Sequence, residues 1–479
     1  MTSESLSHID WVHFETLLAE PLRNGIYKGK EFHGHGTKIV NMGELYAYPR
    51  LQAFVGMKRV ELTDKEIAKA SLEAGDLIFA RRSLTAEGAG KCSIVIDVEH
   101  PTTFESSIIR ARLDKAKSNP VFYYYFFNSP IGKYQLGTIL RQVAVAGITG
   151  SDLAKLKVPV VDKEIQDKIA FSLGDIDDKI DLNYQINQTL EQIVCDIFKS
   201  WFVDFEPVRA KVTAKAKGSD PLRAAICAIS GKTEAELDQL PHERLEQLAI
   251  TAALFPDELI ESELGEIPRG WKTITIGEIA KHCGGFVQTG PFGSQLHASD
   301  YIDNGLPVVM PQDIVSRRIR TDKIARIGED DAQRLSRHRL QVGDIVFSRR
   351  GDVEKHALVS DREQGWLCGT GCLLVRLGPK WPAPAYVSQA LDLPGSRAWL
   401  RNRAVGATMP NLNTGILSSL PLVIATETLI RAFQEKVDSI DAYINHNNAQ
   451  SEILTELRET LLPKLLSGEL AIEYVDELE

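Results

Sequence analysis

The chain has 479 residues and a mass of 53.1 kDa, which at about 150 residues per domain is about three folded units and too long for one. With 43% apolar and 25% charged residues it is neither mainly disordered nor fibrous, and its densest apolar stretch, residues 121–127 (VFYYYFF), falls far short of the ~18 residues of a membrane span. The formal net charge of −10 is uneven: +2 over residues 1–155, −9 over 156–270, +5 over 271–425 and −8 over 426–479, so only the first and third blocks suit a polyanion.

The opening MTSESLSHIDWVHF lacks the basic-then-apolar order of a secretory signal, so the cytoplasm is the expected location. Residues 1–160 read as a mixed α/β block, with strands at Leu77-Ile78-Phe79 and Ser93-Ile94-Val95-Ile96 between Gly- and Asp-rich turns. The run Phe122-Tyr123-Tyr124-Tyr125-Phe126-Phe127 offers rings for base stacking, but a core element packed on the sheet is the favoured reading. Over 161–206, Ile169, Leu173, Ile176, Ile180, Asn183, Asn187, Leu190, Val194, Ile197 and Trp201 alternate steps of four and three, a heptad seam that predicts one long helix, with Pro207 as a stop signal. Residues 207–265 form a connector. Its start, PVRAKVTAKAKGSDP, is basic and poor in large apolar residues and predicts a mobile loop; TEAELDQLPHERLEQLAI predicts a short helix or two. A second α/β block covers 266–424, with a strand at Cys372-Leu373-Leu374-Val375. Over 425–467, Ile430, Phe433, Val437, Ile440, Ile444, Asn447, Ser451, Leu454, Leu461 and Leu465 restate the seam; Gly468 ends it, and 468–479 is a tail.

The chain repeats itself. Gly75-Asp76-Leu77-Ile78-Phe79-Ala80-Arg81-Arg82 matches Gly343-Asp344-Ile345-Val346-Phe347-Ser348-Arg349-Arg350. Pro120 and Pro130 match Pro384 and Pro394, Ile180 and Asn183 match Ile444 and Asn447, and Ala146-Gly147-Ile148-Thr149 resembles Val405-Gly406-Ala407-Thr408. Each match is weak; their shared order and near-constant offset are not. The fold class is therefore α+β: two α/β blocks in tandem, each followed by a long helix of roughly 50 Å. The helices pair as an antiparallel coiled coil about a pseudo-two-fold axis, and the Asn at one position of each seam fixes register.

Catalytic chemistry is hard to find. Ser230-Gly231-Lys232-Thr233 resembles the end of a phosphate-binding loop, but Ile226 stands where the first Gly is needed. Asn119-Pro120-Val121-Phe122 breaks an amino-methyltransferase tetrad at its third residue. His33-Gly34-His35 reads as a solvated loop before a chelate, and Cys368 and Cys372 as idle thiols before zinc ligands, so no metal is expected. What remains is binding. DNA contact needs cations for phosphate and forked donors for base edges. The first block offers Lys28, Lys30, Lys38, Arg81, Arg82, Lys91 and Arg141; the second offers Ser294, Gln295, Arg317, Arg318, Arg320, Arg349, Arg350 and Lys355. The duplicated pairs Arg81-Arg82 and Arg349-Arg350 should emerge at a strand end, one residue of each pair facing outward. The plainer alternative is a set of solvated arginines paired with local carboxylates.

Three segments carry a resemblance to a known family. Ser262-Glu263-Leu264-Gly265-Glu266-Ile267-Pro268-Arg269-Gly270-Trp271 resembles the start of a second target-recognition domain in the specificity subunit of type I restriction–modification enzymes. Phe198-Lys199-Ser200-Trp201-Phe202-Val203-Asp204-Phe205-Glu206-Pro207 is similar to the exit of that family's central helix, and Leu461-Leu462-Pro463-Lys464-Leu465-Leu466-Ser467-Gly468-Glu469-Leu470 to its C-terminal signature. The resemblance implies that 1–160 and 266–424 are target-recognition domains, each reading half of a split, asymmetric DNA site. It implies that the helices, whose seams include Ile169, Ile197, Ile430 and Leu454, set the spacer and dock two modification subunits. S-adenosylmethionine would sit on those subunits, ATP and Mg on restriction subunits, and no catalysis in this chain. The alternative is a coiled-coil interaction scaffold without DNA specificity.

Overall fold

The computed structural model describes residues 10–83, 85, 88–142, 146–262, 265–321, 323–406, 409–467 and 469–470. Glu263 and Leu264 of the domain-start motif, Ala407 and Thr408 of the second loop copy, Gly468, and residues 471–479 of the tail lie outside the described residues. Contacts divide the chain into two units, Met1–Gln185 with Asn447–Glu479, and Ile186–His446. Each long helix contributes one portion to each unit.

In the first unit the apolar run of the Gly-Asp repeat forms strand Leu77–Ala80, buried on every side chain, at the centre of a five-stranded sheet. Its order is Arg23–Asn24, Ile108–Ala111, Leu77–Ala80, Cys92–Val95 and Arg50–Leu51. A three-stranded sheet has His33–Val40 in the middle, antiparallel to Lys58–Val60 and parallel to Thr102–Phe104. Strand Trp11–His13 pairs with Lys157–Pro159 just before the long helix. The aromatic run is helix Pro120–Asn128, with all six rings buried. Phe127 meets Phe79 edge-on at 5.0 Å, and the hydroxyls of Tyr123 and Tyr125 donate to Pro159 O (3.0 Å) and Asp177 (2.7 Å). These rings are core, as the bulk of each and its sequestered hydroxyl require.

The second unit restates the plan. Strand Ile345–Ser348 lies in a four-stranded sheet of order Phe286–Thr289, Cys372–Arg376, Ile345–Ser348, His356–Leu358. Tyr301–Val309 takes the place of His33–Val40, antiparallel to Ala325–Ile327 and parallel to Leu367–Cys368, and both long strands carry a register shift. Lys272–Thr275 pairs with Pro421–Ile424 before the second long helix. Helices Pro120–Asn128 and Pro130–Thr138 find counterparts in Pro384–Asp392 and Pro394–Arg403, each with its proline in the first turn, where the missing N–H costs nothing.

The long helices run Lys163–Phe202 and Glu427–Leu466, 40 residues each. Within the first unit Ile169 and Leu173 share a core with Leu462, Leu465 and Leu466, Asp177 meets Arg458 at 2.5 Å, and Asn183 reaches Ser451. Within the second, Phe198 packs on Phe433 at 5.6 Å, and Val194 and Val437 belong to one core. Partner numbers fall as helix numbers rise, so the segments lie antiparallel in each unit. Asn183 is fully buried on the seam; its Nδ2 donates to Asn447 O (3.3 Å), Gln450 Oε1 (3.0 Å) and Ser451 Oγ (3.1 Å). Those partners sit at one height of the opposite helix, which suits a register-fixing role.

The start of the connector departs from expectation: residues 206–217 are helix Glu206–Lys217, not a mobile loop. Ala, Lys and Arg are strong helix formers, and composition alone hid this. Lys215 and Lys217 occupy the last turn and Gly218 closes it at φ +71°. Val208 and Ala214 are buried, and Lys211 Nζ donates to Phe255 O at 2.6 Å. Pro207 therefore begins a helix, after the long one has ended at Phe202. Helices Pro221–Ser230, Glu234–Leu237 and His242–Ala253 follow. Gly231 terminates the first of these and Thr233 caps the second, which gives Ser230-Gly231-Lys232-Thr233 a purely local task.

Candidate nucleic-acid interface

The repeated octapeptide builds the same device twice. Gly75 and Gly343 adopt φ +93° and +85°, a region L side chains avoid. The following Asp76 and Asp344 are buried, and each accepts the backbone N–H three residues upstream, from Glu73 and Gln341, at 2.8 Å. Each also binds an arginine at the end of the neighbouring strand: Arg112, just past Ile108–Ala111, Nε to Asp76 Oδ1 at 2.7 Å, and Arg376 Nε to Asp344 Oδ1 at 2.8 Å. Burial raises the Asp344 carboxyl, and Arg376 opposes that shift. Phe79 and Phe347 fill the core. Of each arginine pair, the first is half-buried and the second exposed: Arg81 Nη1 donates to Ser106 O (3.4 Å) while Arg82 faces solvent, and Arg349 is tucked in while Arg350 faces solvent. The strand alternation expected from sequence is what the structure has.

Each exposed arginine ends up in a three-stranded row. In the first unit Arg82–Ser83, Ala146–Gly147 and Arg141–Gln142 form a sheet in which Arg82 stands opposite Gly147 and Gly147 opposite Arg141. In the second, Arg350 stands opposite Asn411 and Asn411 opposite Val405. Flanking hydrogen bonds match too: Ile148 N–H donates to Arg81 O at 3.0 Å and Leu412 N–H to Arg349 O at 2.9 Å. This corrects one sequence match. Gly147 corresponds to Asn411, and Arg141 to Val405, rather than Ala146-Gly147 to Val405-Gly406. The signal was present in the offset of 264 that relates the flanking helices, but short strands with unlike residues gave nothing for it to act on.

The other candidate residues divide by environment. Lys30, Ser294, Arg320 and Lys355 are exposed, Lys355 with Asp352 at 3.5 Å. Lys28 is held by Glu66 (2.9 Å) and Lys38 by Glu99 (2.7 Å). Arg141 is exposed and pairs with Asp152 at 2.7 Å. Lys91 is half-buried and donates to Tyr46 O at 2.9 Å; burial, then the nearby Lys133, lowers its pKa. Gln295 accepts from Phe292 N–H at 3.0 Å.

Arg317 and Arg318 have work inside the unit. Arg318 donates to Asp441 (2.8 Å) and Glu191 (3.2 Å) on the long helices, and Arg317 approaches Asp392 (3.9 Å) and Cys195 Sγ (3.6 Å). The first unit has the counterpart of Arg318 in Arg50, which engages Asp178, Asp177 (3.8 Å) and Asp181 (3.7 Å) on its own helix segment. Asp177 and Asp441 are 264 positions apart and Arg50 and Arg318 are 268 apart, the offsets of the repeat. In each unit a forked cation thus ties the α/β domain to carboxylates of the long helices, the geometry that favours arginine over lysine. Arg318, a candidate DNA contact from sequence, stands in this ion pair, and Arg50 carries no sequence signal, because an arginine's partner across a fold leaves no mark in local sequence.

Known proteins resemble this chain in sequence. The family profile described as the type I restriction modification DNA specificity domain matches residues 19–192. The type I restriction enzyme HindI specificity subunit of Haemophilus influenzae is 33% identical over 336 residues, covering 67% of this chain and 71% of that protein. The MjaIX specificity subunit of Methanocaldococcus jannaschii is 22% identical over 450 residues, covering 93% of this chain and 89% of that one. Among solved structures, the S subunit of a type I restriction–modification system from M. genitalium aligns over 97% of this chain and 98% of its own, at 14% identity and a TM-score of 0.46. Two α/β domains of one plan, each leading into a long helix, define a duplicated α+β protein. The chain belongs to the family of type I restriction–modification specificity subunits.

Proposed function

We propose that this chain is the non-catalytic DNA-reading subunit of a cytoplasmic modification and restriction complex. Each target-recognition domain, residues 1–160 and 266–424, reads one half of a split, asymmetric site in double-stranded DNA. The observation that carries this reading is the duplicated strand end, where the same fold presents Arg82 and Arg350 to solvent beside different neighbours. One scaffold with two side-chain sets suits two different half-sequences. Lys30, Arg141, Ser294, Arg320 and Lys355 are further contacts in this reading, with Lys28, Lys38, Lys91, Arg81, Gln295 and Arg349 supporting them.

The helices set the spacer and dock two modification subunits, with S-adenosylmethionine on those subunits and ATP and Mg on restriction subunits. Support for docking comes from apolar side chains that the helices leave exposed, Phe171 (60%), Ile453 (66%) and Tyr443 (68%) among them. Among the described residues no helix is long and apolar enough to cross a membrane.

The test is DNA binding by the chain assembled with its modification partners, measured across salt concentrations. Tight binding to one split site, with log Kd linear in log salt, is expected. Salt-independent or absent binding by an assembled complex would favour the scaffold reading.

A further inference from the structure

The two three-stranded rows differ in chemistry while sharing a position, and they face solvent. Directly opposed residues of antiparallel strands point to the same side of a sheet. Strands lie about 4.8 Å apart, so the outer members of a row of three are about 10 Å apart. That span is about three base-pair steps at about 3.4 Å each. In the first row, Arg82 and Arg141 are exposed and flank Gly147, which carries no side chain. A Cβ built on Gly147 would lie 2.7 Å from Arg81 O, so the middle of this row is kept bare by close backbone approach. Asp152 holds the Arg141 guanidinium at 2.7 Å and limits its freedom. In the second row Arg350 is exposed, Asn411 is half-buried in the middle, and Val405 is 64% exposed at the far position. Asn411 Oδ1 is itself buried and has no hydrogen-bond partner among the described residues.

We propose that these rows, Arg82–Gly147–Arg141 and Arg350–Asn411–Val405, are the positions at which the two domains acquire different base preferences, with Arg82 and Arg350 as shared anchors. The inference rests on the DNA-reading function proposed above and adds three residues to it: Gly147, Asn411 and Val405. Two forked cations around a bare centre suit guanine O6 and N7 at two separated base pairs. One cation and a methyl-bearing side chain on either side of a half-buried amide suit a mixed sequence, the valine against a thymine methyl. Position 141/405 is the most informative, because it exchanges a cation for an apolar group at an exposed site in the same backbone frame.

The test uses the full chain assembled with its modification subunits, on a randomised DNA library read out by adenine methylation. Arg141→Val and Arg141→Lys are each expected to lower preference for one base, at one position of one half-site, by about 10-fold, with the other half unchanged. Lysine keeps the charge but loses the fork. Val405→Arg is expected to change one position of the opposite half only. Thermal melting confirms that each variant is folded. A wild-type split motif that all three folded variants reproduce letter for letter would overturn the rows while leaving the DNA-reading function standing. The same is true of weaker methylation with an unaltered motif, which would mark phosphate contacts. A wild-type complex that methylates at no split motif would overturn the function itself.

Discussion

Arg50 and Arg318 show how much of this protein's charge is used internally. Around Arg50 the carboxylates Asp177, Asp178 and Asp181 crowd one helix face. Burial pushes Asp181 up to about 6, with Arg50 pulling it down and Asp177 and Asp178 pushing it further up. A carboxyl near 3.9 when unfolded and near 6 when folded binds its proton more readily in the fold. Its contribution to stability therefore falls as pH rises from about 4 to about 6. Asp181→Asn, which mimics the protonated form, is expected to be more stable than wild type above pH 6, the gap closing towards pH 4. Urea titrations at pH 5 and 8 measure it; a gap independent of pH would contradict the assignment. A larger effect is expected at the buried pair Asp344–Arg376. Arg376→Met leaves Asp344 buried and unpaired, at a cost of about 3 kcal/mol or more. Denaturant midpoints of the single variant and of Arg376→Met with Asp344→Asn check this, the double variant recovering part of the loss. At this scale sequence was a partial guide. The repeated Gly-Asp turn and the alternation of each arginine pair were legible because strand period and φ preference are local. The partners of Arg318, Arg50 and Arg112 were not, because they lie on distant segments.

Elements were the most legible level where periodicity was long. Both 40-residue helices show in the four-three spacing of their apolar residues, whereas the paired prolines, legible only as repeat matches, turn out to start two shorter helices in each unit. Helix Glu206–Lys217 was hidden because its buried stripe consists of Val208, Ala214 and the stem of Lys211 rather than large apolar residues. Limited trypsin digestion distinguishes a helix from a loop here. Arg209, Lys211, Lys215 and Lys217 are four sites within one segment, and the structure predicts that they are cut no faster than global unfolding allows. Rapid cleavage in the native protein would restore the loop reading. The short strands at Arg141–Gln142 and Ala146–Gly147 were illegible for a different reason: two residues cannot display a period, and only tertiary pairing gives them a register.

At the scale of the whole molecule, two α/β domains of one plan are each followed by a 40-residue helix. If the helices set the spacer, deleting four residues from each at matched positions should alter the number of unread base pairs and leave both half-sequences intact. Methylation mapping with the shortened chain reads this directly; an unchanged spacer would remove the helices from that role. The central claim, that this chain reads a bipartite DNA site, is tested most directly by a genome-wide map of methylated adenines in cells with the gene intact and deleted. A split asymmetric motif that disappears on deletion is the predicted result. A map that keeps every modified motif after deletion, in cells that express the chain and its modification partner, would contradict it.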